Sequence, residues 1–394
     1  MTPGARVATA IDLLDRIFAG AAAEQVLTSW ARGSRFAGSK DRAALRDHVY
    51  DALRQLRVAQ ALGGGTGGRA VMLGLLRVQG IDPATLFHGQ GYAPAPLTKA
   101  EIAGGRVPDA NDAMNLPDWL CDRFRAGLGD AALEMAQALS HRAPVFVRVN
   151  LLKTQRDAAI LALAAEGIVA QPHPASTTAL ELTENARRIG SSRAYHDGLV
   201  ELQDAASQAV VDALPLQPGQ SVLDYCAGGG GKALAMAARL GGPGVVAQDA
   251  DPGRMRDLPL RAERAGAQIA VRAHATSGEI YDLVLCDAPC SGSGAWRRAP
   301  EGKWRLMPER LADLAATQSG ILDAAASQVS RNGVLAYATC SVLREENADQ
   351  MQGFVQRNPD WRCSGERFFL PQNGADGFYL CQFRRLGDSL SARV

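Results

Sequence analysis

The stretch Ser221-Val222-Leu223-Asp224-Tyr225-Cys226-Ala227-Gly228-Gly229-Gly230-Gly231-Lys232 joins an apolar run to four consecutive glycines. The apolar run predicts a buried strand, and residues 232–239 predict the helix that follows it. Glycines let the backbone approach a ligand closely, and a helix N-terminus offers N–H groups to an anion. The stretch therefore predicts a cofactor loop, although a simple tight turn from strand to helix would have the same pattern.

From about residue 208 onward, short apolar runs alternate with helical segments. The runs at residues 245–249, 282–287 and 333–338 are continuous, which is typical of parallel strands covered on both faces. We therefore predict an α/β fold with a Rossmann-like domain. The carboxyl ends of its parallel strands should converge on one ligand crevice.

An acid ends the apolar run that follows the glycine loop. Asp249 stands at the position from which an acid accepts a ribose hydroxyl in such folds. A nicotinamide dinucleotide and S-adenosylmethionine both fit this pattern. The loop and the acid alone do not distinguish the two cofactors.

Two cysteines favour S-adenosylmethionine. The segments Asp287-Ala288-Pro289-Cys290 and Thr339-Cys340-Ser341 each follow a predicted buried strand, which places two thiols and a carboxylate beside the loop. Methylation of cytosine carbon 5 needs such groups, because a thiolate must first add to carbon 6, and further groups must handle protons. The other cysteines outside the glycine loop fit a structural role: Cys121, Cys286, Cys363 and Cys381.

Six groups of residues, in order along the chain, closely resemble the Sun/Fmu family of RNA cytosine-5 methyltransferases. They are Arg148-Val149-Asn150 with Lys153, Gln203-Asp204-Ala205-Ala206-Ser207-Gln208, Val222-Leu223-Asp224-Tyr225-Cys226-Ala227, Asp287-Ala288-Pro289-Cys290-Ser291-Gly292, Arg297-Arg298 with Pro300 and Lys303-Trp304, and Ala338-Thr339-Cys340-Ser341 with Glu346-Asn347.

The resemblance implies a role for each of these sites. Cys340 would be the nucleophile and Cys290 the cysteine of product release, with Asp287 beside them. S-adenosylmethionine would be held by Cys226, Ala227, Gly228, Gly229, Gly230, Gly231, Lys232, Asp249, Arg254 and Asp287. The expected substrate is a cytosine in RNA, most simply in small-subunit ribosomal RNA. Transfer RNA, or a non-catalytic role as an RNA-binding assembly factor, are the alternatives.

Two departures from the family pattern concern the cofactor. Gly228-Gly229 replaces the usual Ala-Pro, and Ala233 replaces Thr, so we expect a more flexible loop. The family also has an acid after the third strand, near the adenine, whereas residues 269–278 contain none. His274 occupies that position and is a candidate acceptor for the adenine amine, although an ordinary surface histidine is an equal alternative.

The N-terminal third reads as helical and carries local positive charge. Phe36-Ala37-Gly38-Ser39-Lys40-Asp41-Arg42-Ala43 resembles the antiterminator-like (NusB-like) helical domain of the family's ribosomal RNA enzymes. Residues 32–57 contain seven Arg or Lys and three Asp. This excess of positive charge is compatible with phosphate binding, and equally with a solvated helix face. We predict three domains: a helical RNA-binding domain at 1–140, a small α+β RNA-binding module at 141–205, and the methyltransferase domain at 206–387.

A second basic segment follows Cys290. Cations and aromatic rings alternate there, and such residues can bind a flipped-out base and its phosphates. We therefore predict RNA contact by Arg297, Arg298, Lys303 and Trp304. A solvated loop is the alternative reading.

Composition is that of an ordinary soluble enzyme. The 394 residues are 47% hydrophobic with a formal net charge of +1, so RNA contact must come from local patches. We found no bilayer-length apolar stretch, no signal peptide and no Cys-x-x-Cys pair. We expect a cytoplasmic monomer with no membrane association and no metal.

Overall fold

The computed structural model describes residues 1–273, 278–371 and 374–386. The chain forms two compact units. The first comprises Met1–Arg142 with Trp296–Arg305, and the second comprises Ala143–Ala295 with Leu306–Val394. A segment of the predicted methyltransferase domain thus belongs to the first unit.

The first unit is helical, as the apolar spacing predicts. Helix α1 buries Val7, Leu14 and Ile17 along one face, and Thr2 caps its N-terminus by accepting a hydrogen bond from the Ala5 amide. The helices of Met1–Arg142 are α1 (Pro3–Phe18), α2 (Ala23–Gly33), α3 (Ser39–Arg54), α4 (Leu56–Gly63), α5 (Gly68–Val78), α6 (Lys99–Ala103), α7 (Ala110–Met114), α8 (Asp118–Leu128) and α9 (Ala132–Leu139).

The second unit begins with a small antiparallel sheet. Its order is β2-β3-β1-β4, and one face packs on α10 through apolar residues such as Val147, Leu163 and Leu180. Its elements are β1 (Val145–Val149), α10 (Arg156–Ala165), β2 (Val169–Pro172), β3 (Ala179–Glu184), α11 (Arg193–His196) and β4 (Val200–Leu202). We call this region the small module.

A seven-stranded sheet forms the rest of the second unit and confirms the α/β prediction. Its order is β10-β11-β9-β8-β5-β6-β7; strands β9 to β7 are parallel, and β11 and β10 are antiparallel additions. The elements are α12 (Ala205–Asp212), β5 (Val222–Asp224), α13 (Gly231–Leu240), β6 (Val245–Gln248), α14 (Leu258–Ala265), β7 (Ile269–Arg272), β8 (Tyr281–Asp287), α15 (Glu301–Arg305, in the first unit), α16 (Pro308–Ala326), β9 (Val329–Thr339), α17 (Ala348–Arg357), β10 (Trp361–Phe369) and β11 (Phe378–Arg385).

The strand order reverses at β5, which pairs with β6 on one side and β8 on the other. Such a reversal opens a crevice at the carboxyl ends of the strands. Asp224 ends β5, Asp287 ends β8, and Cys340 follows β9. The sheet topology therefore brings Asp224 and the predicted site residues Asp287 and Cys340 to one edge.

Within the described residues, no helix is long and apolar enough to cross a membrane.

Candidate active site

The glycine loop between β5 and α13 requires glycine at two positions. Gly228 and Gly230 have φ angles of +51° and +78°, which L side chains rarely adopt. A Cβ atom on Gly230 would also lie 2.2 Å from Cδ1 of Leu258. The loop is therefore a tight turn pressed against α14, and it leads directly into the helix N-terminus.

Asp249 fastens this loop to the end of β6. Its carboxylate is buried and accepts hydrogen bonds from the amides of Gly228, at 2.8 Å, and Asp251, at 3.0 Å. Arg254 lies 3.3 Å from the same carboxylate and is half-exposed. Asp249 therefore shapes the predicted cofactor loop in addition to any contact with a ligand.

Asp224 is a site residue that the sequence analysis did not single out. It is fully buried at the end of β5, and neither carboxylate oxygen has a hydrogen-bond partner among the described residues. Burial, reinforced by the charge of Asp287, raises its pKa to about 7. Unsatisfied acceptors beside a glycine loop fit a ligand that brings hydrogen-bond donors or positive charge. The available signal was its position at a strand end, which it shares with Asp287.

Lys232, the first cation of α13, pairs with Asp287. Its Nζ lies 2.7 Å from Oδ2 of Asp287 and 4.8 Å from the centre of the Phe378 ring. Burial acts to lower the pKa of Lys232, but the charge of Asp287 and the hydrogen bond to it raise that pKa overall. The ion pair links the glycine loop to the strand that leads to Cys290.

The two predicted catalytic cysteines lie side by side. Their Sγ atoms are 3.4 Å apart, and both thiols are free and half-buried. The approach follows from the sheet, because Asp287 of β8 pairs with Ala338 of β9 and each cysteine comes shortly after. The hydrogen bond to Cys340, together with burial, holds the pKa of Cys290 well above its usual range.

The Glu346 side chain forms hydrogen bonds with both loops that carry the cysteines. Its buried carboxylate accepts hydrogen bonds from the Ser291 amide at 2.7 Å and from the hydroxyls of Ser291 and Ser341 at 2.5 Å. Gln318 adds an amide donor at 3.1 Å. Each serine directly follows one of the two cysteines, so one carboxylate sets the position of both loops. In the sequence, Glu346 stands out only as part of the motif that ends in Glu346-Asn347.

The other predicted cofactor residues lie in or beside the loop. Cys226 is half-buried, and burial raises its pKa well above the usual range. The Ala227 amide donates a 2.9 Å hydrogen bond to the carbonyl of Gln248, which joins the loop to β6. His274 lies outside the described residues.

The predicted RNA-binding residues belong to the helical unit. Lys303 is 1% exposed, and its Nζ donates to the carbonyl of Arg54 at 2.8 Å. Burial and the nearby Arg54 lower the pKa of Lys303 to about 7. Arg297 is also buried, and Trp304 donates to the carbonyl of Leu53, whereas Arg298 is exposed. We predicted Lys303 at the surface in contact with RNA. It is instead buried and bonded to a backbone carbonyl of its own unit.

No group of three or more His, Cys, Asp or Glu in residues 1–273, 278–371 and 374–386 could hold a metal ion.

The strand order, the glycine loop after β5 and the acids at the strand ends define a Rossmann-like methyltransferase fold. Residues 211–384 match the family model described as 16S rRNA methyltransferase RsmB/F, and residues 116–187 match the ferredoxin-like domain of the same group. The chain belongs to the RsmB/F family, which confirms the resemblance drawn from its motifs. The antiterminator-like assignment of the N-terminal helices stays a prediction.

Individual relatives agree with the family assignment. The chain is 30% identical to the ribosomal RNA small subunit methyltransferase B of Photorhabdus laumondii over 68% of this chain and 66% of that protein. It is 34% identical to the protein of the same name from Erwinia tasmaniensis, over 70% and 68% of the two chains. The matched part thus spans a little under two thirds of the first relative. A methyltransferase homologue from Pyrococcus horikoshii matches in structure with a TM-score of 0.61 and 26% identity, over 69% of this chain and 96% of that one.

Proposed function

We propose that this chain transfers a methyl group from S-adenosylmethionine to carbon 5 of a cytosine in small-subunit ribosomal RNA. The observation that carries the proposal is the pair of free thiols, Cys290 and Cys340, 3.4 Å apart at the carboxyl edge of a methyltransferase sheet. Methylation at nitrogen or oxygen does not require a thiol nucleophile, whereas attack on carbon 6 of a pyrimidine does.

The residues around the glycine loop fit the cofactor. The loop Cys226 to Lys232 and the N-terminus of α13 would receive its polar groups, Asp249 and Arg254 would face the ribose side, and the unsatisfied oxygens of Asp224 supply buried acceptors. When bound, S-adenosylmethionine supplies an electrophilic methyl group.

The protein groups divide the remaining chemistry between them. The Cys340 thiolate forms a bond to carbon 6 of the cytosine, which makes carbon 5 electron-rich and able to accept the methyl group. Asp287 stabilises the pyrimidine at its N3 edge. The Cys290 sulfur then takes the carbon 5 proton, the electrons of that C–H bond re-form the carbon 5–carbon 6 double bond, and the Cys340 sulfur leaves carbon 6 with the electron pair of the C–S bond. The distance of 3.4 Å between the Cys290 and Cys340 sulfur atoms supports this role for Cys290.

The helical unit offers a candidate surface for RNA. Phe36, between α2 and α3, is 76% exposed, and the neighbouring side chains of Arg32, Arg35, Lys40 and Arg42 are exposed as well. Asp41, within this run, is turned inward and bound by Arg6 and the N-terminal amine. An exposed ring among cations can stack on an unpaired base while the cations contact phosphates. This surface supports the predicted RNA-binding role of residues 1–140.

Bisulfite sequencing of ribosomal and transfer RNA from a strain lacking the gene tests the proposal. We expect one cytosine methylation in small-subunit ribosomal RNA to disappear, and to return with the intact gene but not with a Cys340→Ala gene. Loss of a transfer RNA site would redirect the enzyme to that substrate. An unchanged map would favour a non-catalytic assembly factor and overturn the proposal.

A further inference from the structure

Two arginines from outside the glycine loop bind its backbone carbonyls. Arg148 of β1 donates through Nη1 to the carbonyl of Gly231 at 2.7 Å. Arg261 of α14 donates through Nη1 to the carbonyl of Gly229. The loop is therefore held at two positions, one of them by a residue of the small module.

Arg148 is buried, so water cannot easily replace the hydrogen bonds that it donates. The same Nη1 group also donates to Oε1 of Gln203, which follows β4. Burial lowers the pKa of Arg148 to about 10, so the guanidinium stays charged at neutral pH. A buried cation that bonds to a loop carbonyl fixes the orientation of that peptide strongly.

Arg261 is held in place by the small module. The buried carboxylate of Glu201, on β4, lies 3.3 Å from Nη2 of Arg261 and 2.6 Å from Nη2 of Arg264. Glu201 thus orients the arginine that binds the Gly229 carbonyl. The small module reaches the loop directly through Arg148 and indirectly through Glu201.

The module also caps the helix that carries Arg261. The Asn150 side chain donates to the carbonyl of Ala265 at 2.8 Å, and Lys153 donates to the carbonyl of Arg264 at 2.6 Å, both in the last turn of α14. A Cβ atom on Gly198 would lie 2.1 Å from that Arg264 carbonyl, so the backbones touch here. Helix α14 is therefore fixed against the small module at its C-terminal end.

We propose that the small module braces the cofactor loop, with Arg148, Arg261 and Glu201 as positioning residues for cofactor binding. The need for a brace follows from the sequence of the loop. Gly228-Gly229 has no side chains to restrict its backbone, so an unbraced loop would lose much conformational entropy on binding a ligand. Hydrogen bonds to its carbonyls order the loop in advance. The inference rests on the proposed use of S-adenosylmethionine.

Isothermal titration with S-adenosylhomocysteine on the full chain tests the brace. We expect Arg148→Met and Arg261→Met to weaken its affinity by about tenfold or more, and Glu201→Gln to weaken it less. The matched control is Arg156→Met, on the exposed face of α10 in the same module. RNA affinity and the thermal midpoint are measured for each variant, because a general packing defect would lower all three quantities together.

A conservative variant keeps the test decisive if Arg148→Met folds poorly. Arg148→Lys retains a buried cation with fewer donors, so it should restore folding and part of the ligand affinity. Folded variants that bind S-adenosylhomocysteine as tightly as the wild type would overturn the brace and leave the proposed function standing. A wild-type chain that binds no S-adenosylhomocysteine would instead overturn the cofactor assignment, and the brace with it.

Discussion

The Sγ atom of Cys290 lies 3.4 Å from the Sγ atom of Cys340, within hydrogen-bond distance for two sulfur atoms. Either sulfur atom can be the donor in this contact, and the contact together with burial raises the pKa of Cys290. The thiolate is the nucleophilic form of a cysteine, and a neighbouring S–H group can donate a hydrogen bond to it. The geometry is therefore consistent with attack by Cys340 and a later proton-handling role for Cys290.

Single-cysteine variants separate the two roles. Cys340→Ala should abolish methylation and any covalent RNA adduct, because the attacking sulfur is absent. Cys290→Ala should still attack and methylate but fail to release, which leaves an RNA–protein adduct visible on denaturing electrophoresis. As a control, Cys363→Ala should remain active, since Cys363 lies on β10 beside Cys381. An adduct with Cys340→Ala and none with Cys290→Ala would reverse the assignment.

Glu346→Gln should slow turnover because it loosens both cysteine loops. The substitution keeps the shape of the side chain but removes a buried charge that accepts bonds from Ser291 and Ser341. We expect kcat to fall by about tenfold to a hundredfold and the affinity for S-adenosylhomocysteine to stay unchanged, with about 1–3 kcal/mol of stability lost. The adjacent Glu345→Gln is the control. Equal kcat values for the two variants would argue against a shared support for the loops.

Much of this site was predictable because its residues lie at the ends of parallel strands. Buried parallel strands are continuous apolar runs, and whatever follows each run must lie at the same edge of the sheet. That rule predicts Asp249, Asp287, Cys290 and Cys340 at one edge of the sheet. The glycine loop was equally predictable, because four consecutive glycines between a strand and a helix indicate a backbone that side chains would hinder.

The unpredicted features depend on contacts between distant parts of the chain. Arg148 lies on β1 and Gly231 begins α13, 83 residues further along the chain, and no local pattern indicates that one binds the other. Lys303 read as a surface cation, because lysine is rarely buried, yet it is enclosed and bonded to the end of α3. The local sequence of Asp224 does not indicate its full burial or the lack of a hydrogen-bond partner among the described residues, because both depend on the elements that pack around it.

Asp249→Ala should weaken binding of S-adenosylmethionine by about 1.5–3 kcal/mol, the range for a hydrogen bond that involves a charged group. The loss has two sources: the expected contact with ribose and the bonds that hold Gly228 and Asp251. Calorimetric titration measures it directly. Asp257→Ala, at an exposed neighbouring carboxylate, should leave the affinity unchanged. Unaltered binding by Asp249→Ala would show that the ribose acid is misassigned.

Phe36→Ala should reduce RNA affinity without affecting the cofactor. Loss of stacking on one base costs about 1–3 kcal/mol, and Arg35→Ala should in addition lower the salt dependence of binding. Filter binding at two salt concentrations measures both effects. Tyr92→Ala is the matched control, because Tyr92 is an aromatic residue of the same unit that is 88% exposed. A loss of affinity for Tyr92→Ala equal to that for Phe36→Ala would remove any special role for Phe36.

Asp224→Asn should change how the stability of the ligand-free protein depends on pH. The folded-state pKa of Asp224 is about 7, above its ordinary value of 3.8, so folding favours the protonated form. Its contribution to stability is therefore fully present below pH 3.8 and is lost as the pH rises through about 7. Over that interval the wild type should lose on the order of 3 kcal/mol more than the asparagine variant, which does not ionise.

Guanidinium unfolding at pH 5 and pH 8 compares the two proteins. Titrating groups far from Asp224 affect both proteins equally, so the informative quantity is the difference between the two stability changes. Asp282→Asn serves as the control for removing a strand carboxylate, since Asp282 lies on β8 and already accepts hydrogen bonds from Ser221. We expect the unfolding free energy of Asp224→Asn to rise relative to that of the wild type between pH 5 and pH 8. A difference in unfolding free energy that stays constant from pH 5 to pH 8 would mean that Asp224 is already ionised at pH 5 in the folded protein. The buried carboxylate would then be charged in the absence of ligand.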